Sequence, residues 1–189
     1  MALIPPDTVI PAGRTVLMGA RRSDYAEWSA LRRESRDWLE PWEPRWPKDA
    51  LSRGDWHRRV DAWNKAWKAG RGYVFLIRRA ADNMLLGGAS LTQVRAWPAN
   101  AASLGYWIGA PHAGQGYMQE AVKGLCDWAF PALRLARIEA GIVPGNDRSR
   151  RVLEAAGFAE EGYAKAYLEI AGTRRDHVLF ALVSPDIRG

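Results

Sequence analysis

The sequence predicts one α/β (α+β) domain built on a mixed sheet. Three observations lead there. Candidate elements follow in the order strand, two helices, three strands joined by short turns, helix, strand, helix and a closing pair of strands. The chain has 189 residues, 48% of them hydrophobic, which suits one domain with a real core. A glycine-rich turn lies between an apolar run and a helical pattern, at residues 105–121 (GYWIGAPHAGQGYMQEA). No repeat, linker or low-complexity block interrupts the chain, so residues 1–189 are expected to form a single domain.

Residues 1–13 carry Pro5, Pro6 and Pro11 and are expected to form an irregular lead-in. A short strand is expected at 15–18. A helix is expected over 22–39, where Trp28, Leu31, Ser35 and Trp38 share a face and Ser23 or Asp24 caps the start. Pro41, Pro44 and Pro47 make the following stretch non-helical. A second helix over 51–69 places Trp56, Val60, Trp63 and Trp67 on one side, and Gly70 ends it. Strands follow at 73–79, at 84–94 with a bend at Gly87 and Gly88, and at 101–108. After the glycine turn, Val122, Leu125 and Ala129 share a helical face. A strand at 137–143 and a helix over 146–156, stopped by Gly157, come next. The closing hairpin spans 160–170 and 174–183 around Ala171 and Gly172.

The net charge of +6 and a pI near 9.8 favour an anionic partner: nucleic acid, a ribosome or a phosphorylated cofactor. The N-terminal residues lack the basic-then-apolar pattern of a signal peptide, and no apolar run reaches membrane-spanning length. With one cysteine, Cys126, a reducing cytoplasmic location is expected, and Cys126 itself reads as a small core residue. The three histidines (His57, His112, His177) are scattered, so no metal site is expected.

Seven of the ten tryptophans fall between Trp28 and Trp67. Tryptophan joins a large apolar body to one N–H and suits a partly wet groove. Trp56, Trp63 and Trp67 are expected to dock a helix on the sheet. Trp38, Trp42 and Glu43, in or beside the proline-rich loop, are the substrate-binding candidates, with Trp46 next to them.

Glycines before a helix suit a pyrophosphate, because free backbone N–H groups and the positive end of the helix dipole meet there. Two phosphate templates fail. Gly116 is followed by Tyr117 and Met118 rather than the Lys-Ser/Thr of a P-loop, and Gln119 stands where a dinucleotide fingerprint needs its third glycine.

A third template fits. The stretch resembles motif A of the GNAT superfamily of acyl-coenzyme A-dependent N-acyltransferases, Gln/Arg-x-x-Gly-x-Gly/Ala, which falls on Ala113, Gly116 and Met118. Ala113 departs from that pattern. The stretches LGYWIGAPHAGQGYMQEA, PGNDRSRRVLEAAGFAEEGYAKAYLEIAG and RDHVLFAL, with the early WLEPWEP run, look like the ribosomal-protein-alanine N-acetyltransferase (RimJ/RimL-type) branch.

The resemblance implies a twisted, mostly antiparallel sheet of about seven strands. Its fourth and fifth strands, here near 101–108 and 137–143, would splay into a V. Acetyl-coenzyme A would enter the V, its pantetheine pairing with the strand edge at Trp107 and Ile108. Its pyrophosphate would rest on the amides of Gly114, Gln115, Gly116, Tyr117 and Met118. Asn146 and Ser149 match the family's Asn-x-x-Ser, at the pantetheine arm and the thioester sulfur; helix capping is the compatible plainer reading.

The implied reaction is direct attack of a neutral amine on the thioester carbonyl, with a strand N–H steadying the oxyanion. The acceptor would be the N-terminal amine of a protein, plausibly ribosomal, or alternatively a small amine such as an antibiotic or polyamine. A terminal amine, with pKa about 8, is roughly one-tenth free at pH 7; a lysine would need about 3 kcal/mol more. Glu139 is the candidate base, on the expectation that apolar neighbours raise its pKa. His177 is the alternative, although a structural bond for Asp176 and His177 competes. Ser149, Tyr163 and Tyr167 compete as proton donors to the leaving thiolate. The protein is expected as a monomer or homodimer without stable nucleic-acid binding. A basic, tryptophan-rich nucleic-acid module stacking bases on Trp42 or Trp46 is the distant alternative.

Overall fold

The computed structural model describes residues 4–185. One sheet of eight strands forms its centre, in the order β1-β2-β3-β4-β5-β6-β8-β7. The strands are β1 (Val9–Ala12), β2 (Thr15–Gly19), β3 (Tyr73–Arg79), β4 (Leu85–Arg95), β5 (Ala101–Ile108), β6 (Arg137–Ile142), β7 (Ala159–Ile170) and β8 (Thr173–Val183). Every pair is antiparallel except β5 with β6.

The helices are α1 (Tyr25–Glu34), α2 (Arg36–Leu39), α3 (Arg53–Lys68), α4 (Tyr117–Leu133) and α5 (Asp147–Ala155). They cover the sheet on both faces. Ala121, Val122, Leu125 and Ala129 of α4, with Leu153 of α5, pack against Phe75, Leu104 and Ile138. On the other face Trp28 and Leu31 of α1 and Trp56 and Val60 of α3 meet Leu76 and Leu85. Trp56 is fully buried, stacked on Trp28 with ring centroids 4.5 Å apart and edge-on to Trp63 at 5.6 Å. Its indole N–H reaches the Arg21 and Arg22 carbonyls. Trp67 is buried against Tyr73 and Phe75. The expected docking role of these three tryptophans holds.

The structure departs from the sequence reading in three elements. Glu40–Trp42, expected to be non-helical, form one 3-10 turn, which Pro41 can enter at its start. Residues 9–12 form a strand, not part of an irregular lead-in; Met1, Ala2 and Leu3 lie outside the described residues. Strand β1 is at the sheet's edge, where Pro11 can sit without costing a ladder bond. This makes eight strands instead of about seven. The helix expected over 22–39 is broken at Ser35, whose hydroxyl accepts the Ala110 N–H at 2.9 Å. That long-range bond docks the α1–α2 junction on the end of β5.

The strands β5 and β6 pair only at Ala101, Ala102 and Ser103, opposite Arg137, Ile138 and Glu139. Beyond Ser103 they part, and this opening positions the site.

Candidate active site

Alternation along β5 decides which groups face the opening. The Gly109 N–H donates to the Leu86 carbonyl, and the Ser90 and Thr92 hydroxyls of β4 donate to the Gly105 and Ser103 carbonyls. The odd-numbered residues thus turn their peptide groups toward β4. The even ones, Leu104, Tyr106 and Ile108, turn theirs toward the gap. Trp107, expected with Ile108 on the open edge, spends its backbone in the β4 ladder. Its indole instead sits under the Arg32 guanidinium at 4.8 Å. The Ile108 carbonyl already accepts the Trp38 indole N–H at 3.1 Å.

The edge runs into a turn at the start of α4. Gly114 and Gly116 adopt φ of +75° and +84°, in the left-handed region that glycine occupies without cost. Gly116 is the residue preceding the helix, and the first-turn amides of α4 begin there. Gly114, Gly116, Tyr117 and Met118 line the cleft; Gln115 does not. Its side chain donates to the Pro111 carbonyl and its own carbonyl accepts from Arg14. Arg14 is a cation that sequence reasoning missed. It pairs with Glu120 at 2.5 Å, lies over the Tyr117 ring, and holds the Glu120 carboxyl below its ordinary range through those hydrogen bonds. Its charge is answered by Glu120, so it braces the turn through the Gln115 carbonyl rather than replacing the side-chain donor that Ala113 lacks.

Helix α5 forms another wall. Asn146 caps it, accepting the Ser149 N–H at 3.2 Å, as the capping reading expects. The Ser149 hydroxyl lies 2.7 Å from the Tyr106 hydroxyl, which also reaches the Ser149 carbonyl at 3.1 Å. Tyr106 therefore bridges the gap from β5 to α5. Burial pushes its phenol up to about 12, against the opposing pull of Ser149. Nothing local in the sequence marks this residue, because its partner is 43 positions away.

The cleft totals about 1110 Å³ and draws its lining from both faces of the sheet. On the face opposite α4 its walls include Trp38, Trp42, Glu43, Tyr167 and Leu168. The three substrate-binding candidates thus come together. Arg148 stacks on Trp38 at 4.2 Å. Glu43 is engaged by both terminal nitrogens of Arg32, at 2.8 and 2.5 Å, and by the Trp46 indole N–H at 2.8 Å. Tyr167 lies within the irregular stretch of β7 between Ala164 and Leu168, pinned by Asp176, which accepts the Ala166 N–H and the Tyr163 hydroxyl. Asp176 and Tyr163 are thus structural partners. His177 is buried in the cleft wall, Nδ1 3.1 Å from the Arg175 carbonyl and its ring edge-on to Tyr167.

Glu139 lies where β5 and β6 part, and lines the cleft. The raised pKa expected for it is reversed. Desolvation pushes its carboxyl up, but hydrogen bonds from Arg137 and Arg95 outweigh that and hold it below the ordinary value. Arg95 is 44 positions distant and invisible to a local reading. Cys126 is buried, its thiol pushed up to about 12 by desolvation, in keeping with a core role. Among the described residues no group of three or more His, Cys, Asp or Glu side chains is placed to hold a metal, and no helix is long and apolar enough to cross a membrane.

Residues 14–159 match the family described as the acetyltransferase (GNAT) domain. The chain belongs to the GNAT acetyltransferase family. This GNAT domain is 36% identical over 153 residues to the [ribosomal protein uS5]-alanine N-acetyltransferase of Escherichia coli, covering 81% of this chain and 79% of that one. It is 36% identical over 164 residues to the probable N-acetyltransferase YjcK of Bacillus subtilis, covering 87% and 91%. The structure of Mycobacterium smegmatis RimJ in complex with CoA-disulfide superposes with a TM-score of 0.89 at 34% identity, covering 97% of this chain and 90% of that one. The protein is a GNAT-type N-acetyltransferase, and the parting of β5 and β6 is the V expected of that fold.

Proposed function

We propose that this GNAT domain moves the acetyl group of acetyl-coenzyme A to the N-terminal α-amine of a protein, a ribosomal protein with a small first residue. The observation that carries the reading is one cleft lined from both faces of the sheet. A strand edge leading into a glycine cradle occupies one face of the sheet, and an aromatic-walled opening the other. The cradle fits a pyrophosphate: the first-turn helix amides and the positive-φ glycines are what such a group needs. The relatives named above support the donor and the acceptor class.

In this reading the open edge of β5 pairs with the pantetheine arm, and Ile108 turns its N–H toward the thioester oxygen. The acceptor amine attacks in its neutral form; the C–N bond forms, the C–S bond breaks, and the amine proton leaves to water. An α-amine needs little help, so a strong base is unnecessary. Glu139, held as a carboxylate by two arginines, serves to fix the apex of the V rather than to take that proton. The Tyr106–Ser149 pair, two hydroxyls 2.7 Å apart on the cleft wall, supplies the proton to the departing thiolate. Asn146 orients the first turn of α5 beside the arm.

The test is coenzyme A release with an alanine-initiated peptide from a ribosomal protein, set against a panel of polyamines and aminoglycosides. Turnover on the peptide supports the proposal. Turnover on small amines alone overturns the acceptor.

A further inference from the structure

Carried past Ser103 and Glu139, the β5–β6 register sets Gly105 opposite Gly141 across the opening. Both belong to the face of the strands that carries Trp107 and Glu139, away from α4, so at this one level neither strand presents a side chain. At Gly141 the missing group leaves a defined space. A Cβ built there would lie 3.5 Å from His177 Cδ2, 3.7 Å from Leu179 Cδ2 and 3.7 Å from Tyr167 Cε1, all ordinary van der Waals distances. Strand β6 is extended at Gly141, with no positive φ to demand glycine, so the backbone does not account for the residue. The three surrounding side chains also line the cleft.

We infer that this recess, floored by the bare Gly141 backbone and flanked by His177, Leu179 and Tyr167, takes the side chain of the acceptor's first residue. Its lining is an aliphatic carbon and two aromatic edges, which suits an alanine methyl and leaves a glycine without contacts. Larger first residues would meet Leu179 and His177. The recess thus makes Gly141 and Leu179 determinants of acceptor choice; the inference rests on the N-terminal-amine reading above.

The experiment compares kcat/KM for two peptides that differ only in an initial alanine or glycine, using wild type, Gly141→Ala and Leu179→Ala. One methyl group in an apolar recess is worth on the order of tenfold or more in discrimination. The wild type should favour alanine by about that factor. Gly141→Ala fills the recess from below and should bring the ratio to about one or invert it. Leu179→Ala widens the recess and should raise the relative rate on a valine-initiated peptide. Thermal melts with and without coenzyme A report whether each variant still folds and binds the donor. If both peptides are acetylated and neither variant moves the ratios, the recess plays no part in selection. If the wild type acetylates neither peptide yet turns over a small amine, the acceptor reading falls and this inference with it.

Discussion

Replacing Gly116 with alanine tests the cradle directly. Gly116 stands at φ +84° as the residue before α4. Holding an L-residue in the left-handed region costs roughly 1–2 kcal/mol. The added Cβ would also lie 3.1 Å from an Arg14 guanidinium nitrogen, a contact that this flexible and largely exposed side chain can relieve. Strain is therefore the main part of the expected cost, beside any loosening of the Arg14–Glu120 pair, and it has two places to appear. If the turn keeps its shape without ligand, the cost falls on folding and lowers Tm by about 2–8 °C. If the turn relaxes without ligand, the cost is deferred to binding, and the Kd for coenzyme A rises about five- to thirtyfold. Calorimetric titration with coenzyme A and a thermal melt read both terms on one sample. Gly116→Pro, which demands φ near −65°, should go further and abolish binding. Ala113→Leu should change Kd by no more than about a factor of two, since the Ala113 side chain has no polar atom and its N–H is spent on the Ala110 carbonyl. The reasoning fails if Gly116→Ala moves neither Tm nor Kd, or if Ala113→Leu proves the more damaging.

Tyr106→Phe removes the bridge to Ser149 and should lower kcat about a hundredfold with little change in coenzyme A affinity, read by single-turnover kinetics; an unchanged kcat places the proton donor elsewhere. Glu139→Gln should leave any acid limb of the pH–rate profile above pH 6 in place, because the carboxyl titrates below its ordinary range. The same variant should be less stable than wild type at pH 7. The folded pKa lies below the unfolded one, so the arginine pairs add stability above the ordinary carboxylate range and lose it as pH falls through the folded value; denaturation curves should converge below about pH 4. Trp56→Ala should cost about 3–5 kcal/mol in urea unfolding, since it empties a fully buried site between Trp28 and Trp63.

The sequence made legible whatever local pattern controls. The strands at Tyr73–Arg79 and Ala101–Ile108 fall where the apolar runs place them. Asn146 caps α5 as its side chain allows, and the glycine turn leads into α4 as the spacing requires. What stayed hidden depends on distant partners. The break at Ser35 needs Ala110, the charge state of Glu139 needs Arg95, and the cation beside the cradle comes from Arg14 on the β1–β2 turn. Strand β1 was obscured by proline rules that hold for central strands and relax at an edge. The assignment of Trp107 to the open edge failed by one residue, and in a strand one residue is the difference between two sides.

The Trp38 indole bonded to the Ile108 carbonyl joins two surfaces that the reaction uses separately. That carbonyl belongs to the edge a donor would pair with, and Trp38 belongs to the wall an acceptor would touch. A donor that draws on the carbonyl changes what anchors the wall, so the binding free energies of the two substrates share a term. Thermodynamic reciprocity makes that term the same from either side: whatever factor the donor imposes on acceptor affinity, the acceptor imposes on the donor. The coupling between the two substrates would then rest on one hydrogen bond, and Trp38→Phe, which keeps the wall and removes the donor N–H, is the substitution that would uncouple them.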